Sequence, residues 1–407
     1  MKIPDSVKPG IPKLPSKIPS GWNLLTMNKV FNELNRKAKV EDDVLYDLVT
    51  VKRSRGGVQK RERLRGDQIS VKSQFFIKEN DFLISRRQIV HGACGVVPKE
   101  LDGSIVSNEY LVLKVNPDFD LNFIKYYSHS QYFQQTCFHS SIGVHVEKMI
   151  FKPHWWYKFK HILPNLKEQK KIALILSTWD SVILKYEQII DVLSKRNKGL
   201  AQQLLTGKLR LEGYNDSWIN KPLGHFFTER KETGFTELPL LSVGESGVYP
   251  QNGSNKKDTS NSDKEKYKRI CPGDIGYNTM RMWQGRSAIS ELEGIVSPAY
   301  TIVTPKNNAD VLFFSFLFKQ RKMVHKFFRN SQGLVDDTLN CKFKDFKIIM
   351  VEVPNSINEQ KAIAAVLSEA KKELTIYQQQ LDILKEQKKG LIQKLLTGEI
   401  RVNIKEN

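Results

Sequence analysis

The sequence predicts a mixed α/β (α+β) protein in which two globular domains are separated by two long helices pairing as an antiparallel coiled coil, with an internal pseudo-twofold. Three observations predict it: a long stretch that occurs twice, a seven-residue apolar rhythm inside that stretch, and dissimilar, turn-rich, basic segments ahead of each copy.

The repeat comes first. Residues 168–211 (EQKKIALILSTWDSVILKYEQIIDVLSKRNKGLAQQLLTGKLRL) align without a gap on residues 359–402, with 20 identities in 44 positions. The preceding segments match more weakly: Ser107–Val115 answers Ser297–Pro305, Gly143 answers Gly333, Pro164 answers Pro354, and Trp22 answers Trp218. The order is therefore variable domain, helix, variable domain, helix. We place an arm over residues 1–20, the two domains over 21–162 and 213–353, and the helical spacers over 163–212 and 354–407.

Within the first copy Leu176, Ile183, Ile190, Asn197 and Leu204 recur every seven residues, with Ile172, Trp179, Tyr186, Leu193 and Leu200 at the complementary positions. The second copy repeats this seam with Leu367, Leu374, Leu381, Lys388 and Leu395, and with Ile363, Ala370, Tyr377, Leu384 and Leu391. Both helices thus carry a coiled-coil face, each with one polar residue, Asn197 or Lys388, at a position where burial costs stability and penalises wrong registers. Asn165 with Glu168, and Ser356 with Glu359, have the spacing that starts a helix. Gly207 and Gly398 suit the left-handed residue that ends one. About 40 residues at ~1.5 Å each give ~60 Å, enough to hold two domains a DNA turn of ~34 Å apart. Gly199 and Gly390 fall inside the helices and suggest a close contact or bend.

The domains carry the basic segments. Residues 52–65 (KRSRGGVQKRERLR) hold seven cations against one acid after the β-branched run LYDLVTV, so they read as a basic hairpin turning at Gly56-Gly57. Lys52, Arg53, Arg55, Lys60 and Arg61 are its candidate DNA contacts. A second segment, LISRRQIVHGACG, offers Arg86, Arg87 and Gln88. In the second domain the polar stretch YPQNGSNKKDTSNSDKEKYKR brings Lys256 and Lys257, read as phosphate contacts. GDIGYNTMRMWQGRSAIS brings Asn278, Arg281, Gln284 and Arg286. Arg matches guanine edges and phosphates by paired donation, and Asn and Gln match adenine. Of the aromatics Tyr277 and Trp283, one is expected in the core.

Composition agrees with a polyanionic partner: the net charge is +20, from 64 Lys and Arg against 44 Asp and Glu. Cys94, Cys137, Cys271 and Cys341 lie far apart and suggest neither a zinc ribbon nor a disulfide framework. The Pro-rich N-terminus lacks an apolar run, and the most apolar later stretch, residues 311–318, is too short to cross a bilayer. No membrane partner is expected, and the cytoplasm is the expected location. No phosphate loop, dinucleotide fingerprint or H-E-x-x-H is present. Asn116-Pro117-Asp118-Phe119 departs from a methyltransferase N-P-P-[FY] motif at Asp118. No catalytic residue, metal ligand or cofactor is assigned to this chain.

Two variable domains, each followed by P-N-x(2,3)-E-Q-K and a helix closing on L-L-T-G-[KE]-[LI]-R, resemble the specificity subunits of Type I restriction-modification systems. YNTMRMWQG followed by GIVSPAY is similar to a target-recognition pattern of that family. The resemblance covers nearly the whole chain. It implies two α/β target-recognition domains, each reading half of a split double-stranded DNA site, and helices that act as a ruler. It further implies docking of two methyltransferase subunits and, through them, restriction and translocase subunits in a prokaryotic cell. S-adenosylmethionine, ATP and Mg would reside on those partners. By the same analogy the partner-facing helix surfaces begin at Glu168, Gln169, Lys170 and at Glu359, Gln360, Lys361.

Overall fold

The computed structural model describes residues 14, 17–244, 247–251, 263–333 and 338–404. It divides into two compact units: one runs to Lys185 and resumes at Leu381, the other spans Tyr186–Gln380. Both long helices are present, Leu166–Leu204 and Ile357–Thr397. Each is shared between the units, because rising numbers in one helix meet falling numbers in the other. In the first unit Lys388 faces Asp180 and Arg401 faces Glu168. In the second, Tyr186 meets Gln380, Asn197 meets Ala370 and Arg210 meets Glu359. The pairing is antiparallel. Every residue of the two seams is buried or half-buried.

In the first unit Trp22–Thr26 pairs antiparallel with Lys160–Pro164, tying the start of the domain to the strand that feeds the first helix. A four-stranded antiparallel sheet follows in the order Phe31–Glu33, Tyr110–Val115, Phe82–Ser85, Cys94–Val96. A five-stranded sheet contains the hairpin Leu45–Val51 and Val58–Arg65 at its edge. The main core gathers Phe31, Phe82, Phe133, Phe151 and Trp156 with Ile172 and Leu176 of one helix and Leu395 and Leu396 of the other. Each domain is thus cemented to the helix pair by the seam's own apolar residues.

The second unit repeats the plan. Ile219–Pro222 pairs with Met350–Val353, and the four-stranded sheet runs Phe227–Glu229, Tyr300–Pro305, Ile275–Asn278, Ser287–Ile289. The apolar stretch noted above is the helix Val311–Phe318, capped by the Asp310 carboxylate on the Phe313 N–H. Its Phe313, Phe314, Leu317 and Phe318 lie in the core, so an all-apolar octapeptide is satisfied by burial on several sides.

The helix ends behave as their sequences dictate. Asn165 Oδ1 accepts the Glu168 N–H at 3.0 Å, and Gly207 and Gly398 have φ of 68° and 73°. Gly199 and Gly390 have nothing within 4 Å of where a Cβ would stand, so the close contact suggested by sequence is not found.

Candidate nucleic-acid interface

The two sequence segments singled out in separate domains are one structural element used twice. In the first unit strand Phe82–Ser85 leads through Arg86, Arg87 and Gln88 into a single turn, Ile89–His91, and Gly92 with φ 78° releases the chain into Cys94–Val96. In the second, Ile275–Asn278 leads through Arg281 into Met282–Gln284, and Gly285 with φ 75° releases it into Ser287–Ile289. Only glycine adopts this left-handed φ without strain. The element is anchored alike in both. The Phe151 N–H bonds the Arg86 carbonyl at 2.8 Å, and the Cys341 N–H bonds the Thr279 carbonyl at 2.9 Å. A buried carboxylate stands at each strand's start: Asp81 accepts two bonds from Arg36 (2.6 and 2.8 Å), and Asp274 two from Arg230 (2.7 and 3.2 Å).

On this common frame the side chains differ. Arg87 is exposed and paired bidentately with Glu109 (2.7 and 3.1 Å). Arg86 is half-buried, 3.7 Å from Glu33, and the Gln88 Oε1 is buried without a partner. In the second unit Gln284 and Arg286 are exposed and Arg281 half-buried. The Asn278 Oδ1 is engaged by the Met280 N–H at 2.9 Å, which fixes the turn. Of the two aromatics, Tyr277 is in the core against Phe346, whereas Trp283 is half-exposed, donating to the Met280 carbonyl.

The basic hairpin belongs to the same surface. Its tip docks on the turn of the four-stranded sheet: the Ser54 N–H bonds the His91 carbonyl at 2.7 Å and the Arg55 N–H the Gly92 carbonyl at 3.2 Å. Ser54 and Arg55 take φ of 54° and 65°, a strained conformation for non-glycine residues that these bonds sustain. Gly95 allows the crossing, since a Cβ there would stand 3.1 Å from Gly57 Cα. Arg53 pairs with Glu147 at 2.7 Å, and the same carboxylate lies 3.2 Å from His91, so three loops meet. Burial lowers the pKa values of both Arg55 and His91.

The hairpin's charge is largely compensated. Lys60 and Arg63 share Asp47, Arg61 pairs with Glu62, and Arg65 with Asp43. Lys52 is exposed. Exposed pairs of this kind are worth ~0–1 kcal/mol, so a phosphate can replace the carboxylate at little cost. Lys256 and Lys257 lie outside the described residues.

The residues assigned to a partner surface are placed elsewhere. Glu168, Gln169, Glu359 and Gln360 are fully buried, and only Lys170 and Lys361 are exposed. Glu168 accepts the Trp22 indole N–H at 3.0 Å and both Arg401 donors at 2.8 and 2.9 Å. Glu359 accepts Trp218 at 3.2 Å and Arg210 at 2.8 and 3.1 Å. Gln169 and Gln360 accept the N–H of Asp120 and Asp310 and donate to the Pro164 and Pro354 carbonyls. A buried carboxylate must be paired, so these four are internal fasteners rather than a docking face. The sequence signal for this was present in the repeated Trp, E-Q and T-G-x-x-R, but not its pairing. Arg36, Asp81, Arg230, Asp274 and Glu147 gave no signal. Among the described residues no His, Cys, Asp and Glu cluster could hold a metal, and no helix is long and apolar enough to cross a membrane.

Two sheet domains, each packed against a stretch of both long helices and presenting the same turn with different side chains, define a protein built of two like units. The family described as "Type I restriction modification DNA specificity domain" matches residues 19–195. The chain is 27% identical to the Type I restriction enzyme MjaVIII specificity subunit of Methanocaldococcus jannaschii; the match spans 63% of this chain and 65% of that relative. Its fold is similar to that of the HsdS subunit from Thermoanaerobacter tengcongensis, with TM-score 0.53, 15% identity and coverage of 95% and 99% of the two chains. It is also similar to a Type I restriction-modification S subunit from M. genitalium, with TM-score 0.55, 16% identity and coverage of 97% and 99%. Over residues 19–195 by sequence, and over most of its length by fold, the chain is similar to Type I restriction-modification specificity subunits.

Proposed function

We propose that this chain is the non-catalytic subunit that chooses the DNA sequence for a Type I restriction-modification complex, reading a split double-stranded site with its two sheet domains. The observation that carries this reading is the recurrence of one strand–turn–strand element, closed by Gly92 or Gly285, on which Arg86, Arg87 and Gln88 in one unit stand where Thr279, Met280 and Arg281 stand in the other, and His91 and Ala93 where Gln284 and Arg286 stand. A common frame with unlike donors is what two half-sites of unlike sequence demand. The hairpin cations, held by weak surface pairs, supply phosphate contacts.

Methyl transfer, and translocation with cleavage, fall to partner subunits that bring S-adenosylmethionine, ATP and Mg. The outward helix faces suit two methyltransferase subunits, since they expose Lys170 with Leu174 and Leu184, and Lys361 with Val366 and Ile376. The test is to exchange residues 213–350 for those of a relative and map methylated sites in the assembled complex. One half of the recognised sequence should change and the other stay; an unchanged site would sink the assignment.

A further inference from the structure

The clasps at the helix ends do not discriminate between partners. Each repeat supplies both a glutamate and an arginine, so Glu168 would receive Arg210 of a second copy as readily as it receives Arg401. Glu359 would likewise accept Arg401. The trailing ends therefore permit a helix to pair with another copy of itself.

The middle of the helices is different. In the first unit Asp180 holds Lys388 with one oxygen and accepts the Tyr126 hydroxyl with the other at 2.5 Å, and the Lys388 ammonium lies 5.7 Å from the Tyr126 ring centroid. Lys388 keeps only 16% of its side chain exposed. In the second unit the equivalent polar seam residue, Asn197, donates to the Ala370 carbonyl at 2.6 Å, and neighbouring Arg196 pairs with Glu373 at 2.5 Å. At the common offset that relates Glu168 to Glu359, the place of Asp180 is taken by Lys371 and that of Glu373 by Val182; at the offset that relates Asp120 to Asp310, the place of Tyr126 is taken by Phe316. If two copies of the second helix paired in this register, Lys388 would face Lys371. If two copies of the first helix paired, Asn197 would face Asp180 and Arg196 would face Val182. One arrangement sets like charges together and the other leaves both charges unmatched.

We infer that Asp180–Lys388 and Arg196–Glu373 form a pairing code that makes the first helix accept the second and prevents either helix from pairing with a copy of itself. Because each helix is continuous with its own sheet domain, the code decides which two sheet domains share one helix pair. The clasps fasten the ends, while the mid-helix charges choose the partner.

The register gives a direct readout. In a self-paired second helix, position 380 comes opposite its own copy, whereas in the observed pairing Gln380 meets Tyr186. A Gln380→Cys full-length chain should remain uncrosslinked between copies under mild oxidation, measured against the parent chain with its native cysteines. Adding Asp180→Asn with Lys371→Asp removes the native pair and gives Lys388 an acid on the copy; the reducible dimer should then rise by about tenfold or more. Adding Lys388→Asp to the Asp180→Asn, Lys371→Asp chain sets acid against acid and should return the Gln380→Cys protein to the uncrosslinked state, with its helical circular dichroism retained. Equal crosslinking in the native and Asp180→Asn, Lys371→Asp backgrounds would overturn the inference, as would an undiminished dimer once Lys388→Asp is added.

Discussion

Glu168 and Arg401 form a bidentate ion pair, at 2.8 and 2.9 Å, between the first turn of one long helix and the residues just past the end of the other. The carboxylate is wholly buried, capped on its other side by the Trp22 indole, while Arg401 lies 5.9 Å from that ring's centroid. Glu359, Arg210 and Trp218 repeat the arrangement in the other unit.

Removing the arginine should therefore cost more than removing a surface charge. Arg401→Ala leaves Glu168 buried with only the indole donor, a loss of about 3 kcal/mol. Urea denaturation of the chain should show this as a lowered midpoint. Lys195→Ala, which breaks only the exposed pair with Asp191, should shift stability by less than about 0.5 kcal/mol.

Three of the helix glycines should separate into two classes. Gly398→Ala forces a left-handed φ on alanine and sets its Cβ 2.6 Å from Pro19 Cγ, so stability falls by more than about 1 kcal/mol. Gly199→Ala and Gly390→Ala meet nothing within 4 Å and lie in helix interiors, so each should stabilise by about 0.5–1 kcal/mol. Thermal melts monitored at 222 nm, the usual helix signal, compare them directly.

Stability should decline in mild acid through a buried histidine. His161 is enclosed by Tyr127, Tyr132, Phe133 and Trp156, with Tyr127 Oη 2.9 Å from its Nδ1, and burial lowers its pKa to about 3. Below its ordinary value of 6.5 the unfolded chain takes up a proton that the folded chain refuses until about pH 3. Stability contributed by neutral His161 is therefore complete above pH 6.5 and is lost as pH falls. His129, lowered to about 4, adds to the same slope. His161→Gln should reduce the slope of unfolding free energy between pH 6 and 4 by about one proton; an unaltered slope would refute it.

DNA binding should divide the basic residues into two kinds. Lys52→Ala, at the hairpin tip, should weaken cognate and non-cognate DNA alike and reduce the magnitude of the salt slope by about 1. Arg281→Ala or Arg87→Ala should cost about 1–3 kcal/mol on the cognate site and relax discrimination in one half-site only. Titrations at two ionic strengths on cognate and scrambled duplexes read both quantities. A uniform loss for all three would remove the base-reading role of the turn.

Much of the architecture was legible before any coordinates. The gapless repeat, the heptad seams and the left-handed ends at Gly207 and Gly398 are local or periodic signals, each set by residues within a few positions of one another. The twin turns at Gly92 and Gly285 were found as candidate segments for the same reason. Their equivalence was hidden, because only the glycine, the aspartate at the strand's start and the apolar positions are common to both.

What the sequence by itself determined is therefore the plan: two unlike sheet domains, two like helices, and the polar seam positions Asn197 and Lys388. Tertiary structure alone decided the partners. Glu168 looked like the start of an exposed helix face until a residue 233 positions away in the chain closed over it. The basic hairpin looked uncompensated until Asp43, Asp47 and Glu147 came beside it. Charge pairing and burial depend on distance in space, and along a chain that folds back on itself through antiparallel helices that distance bears no fixed relation to separation in sequence.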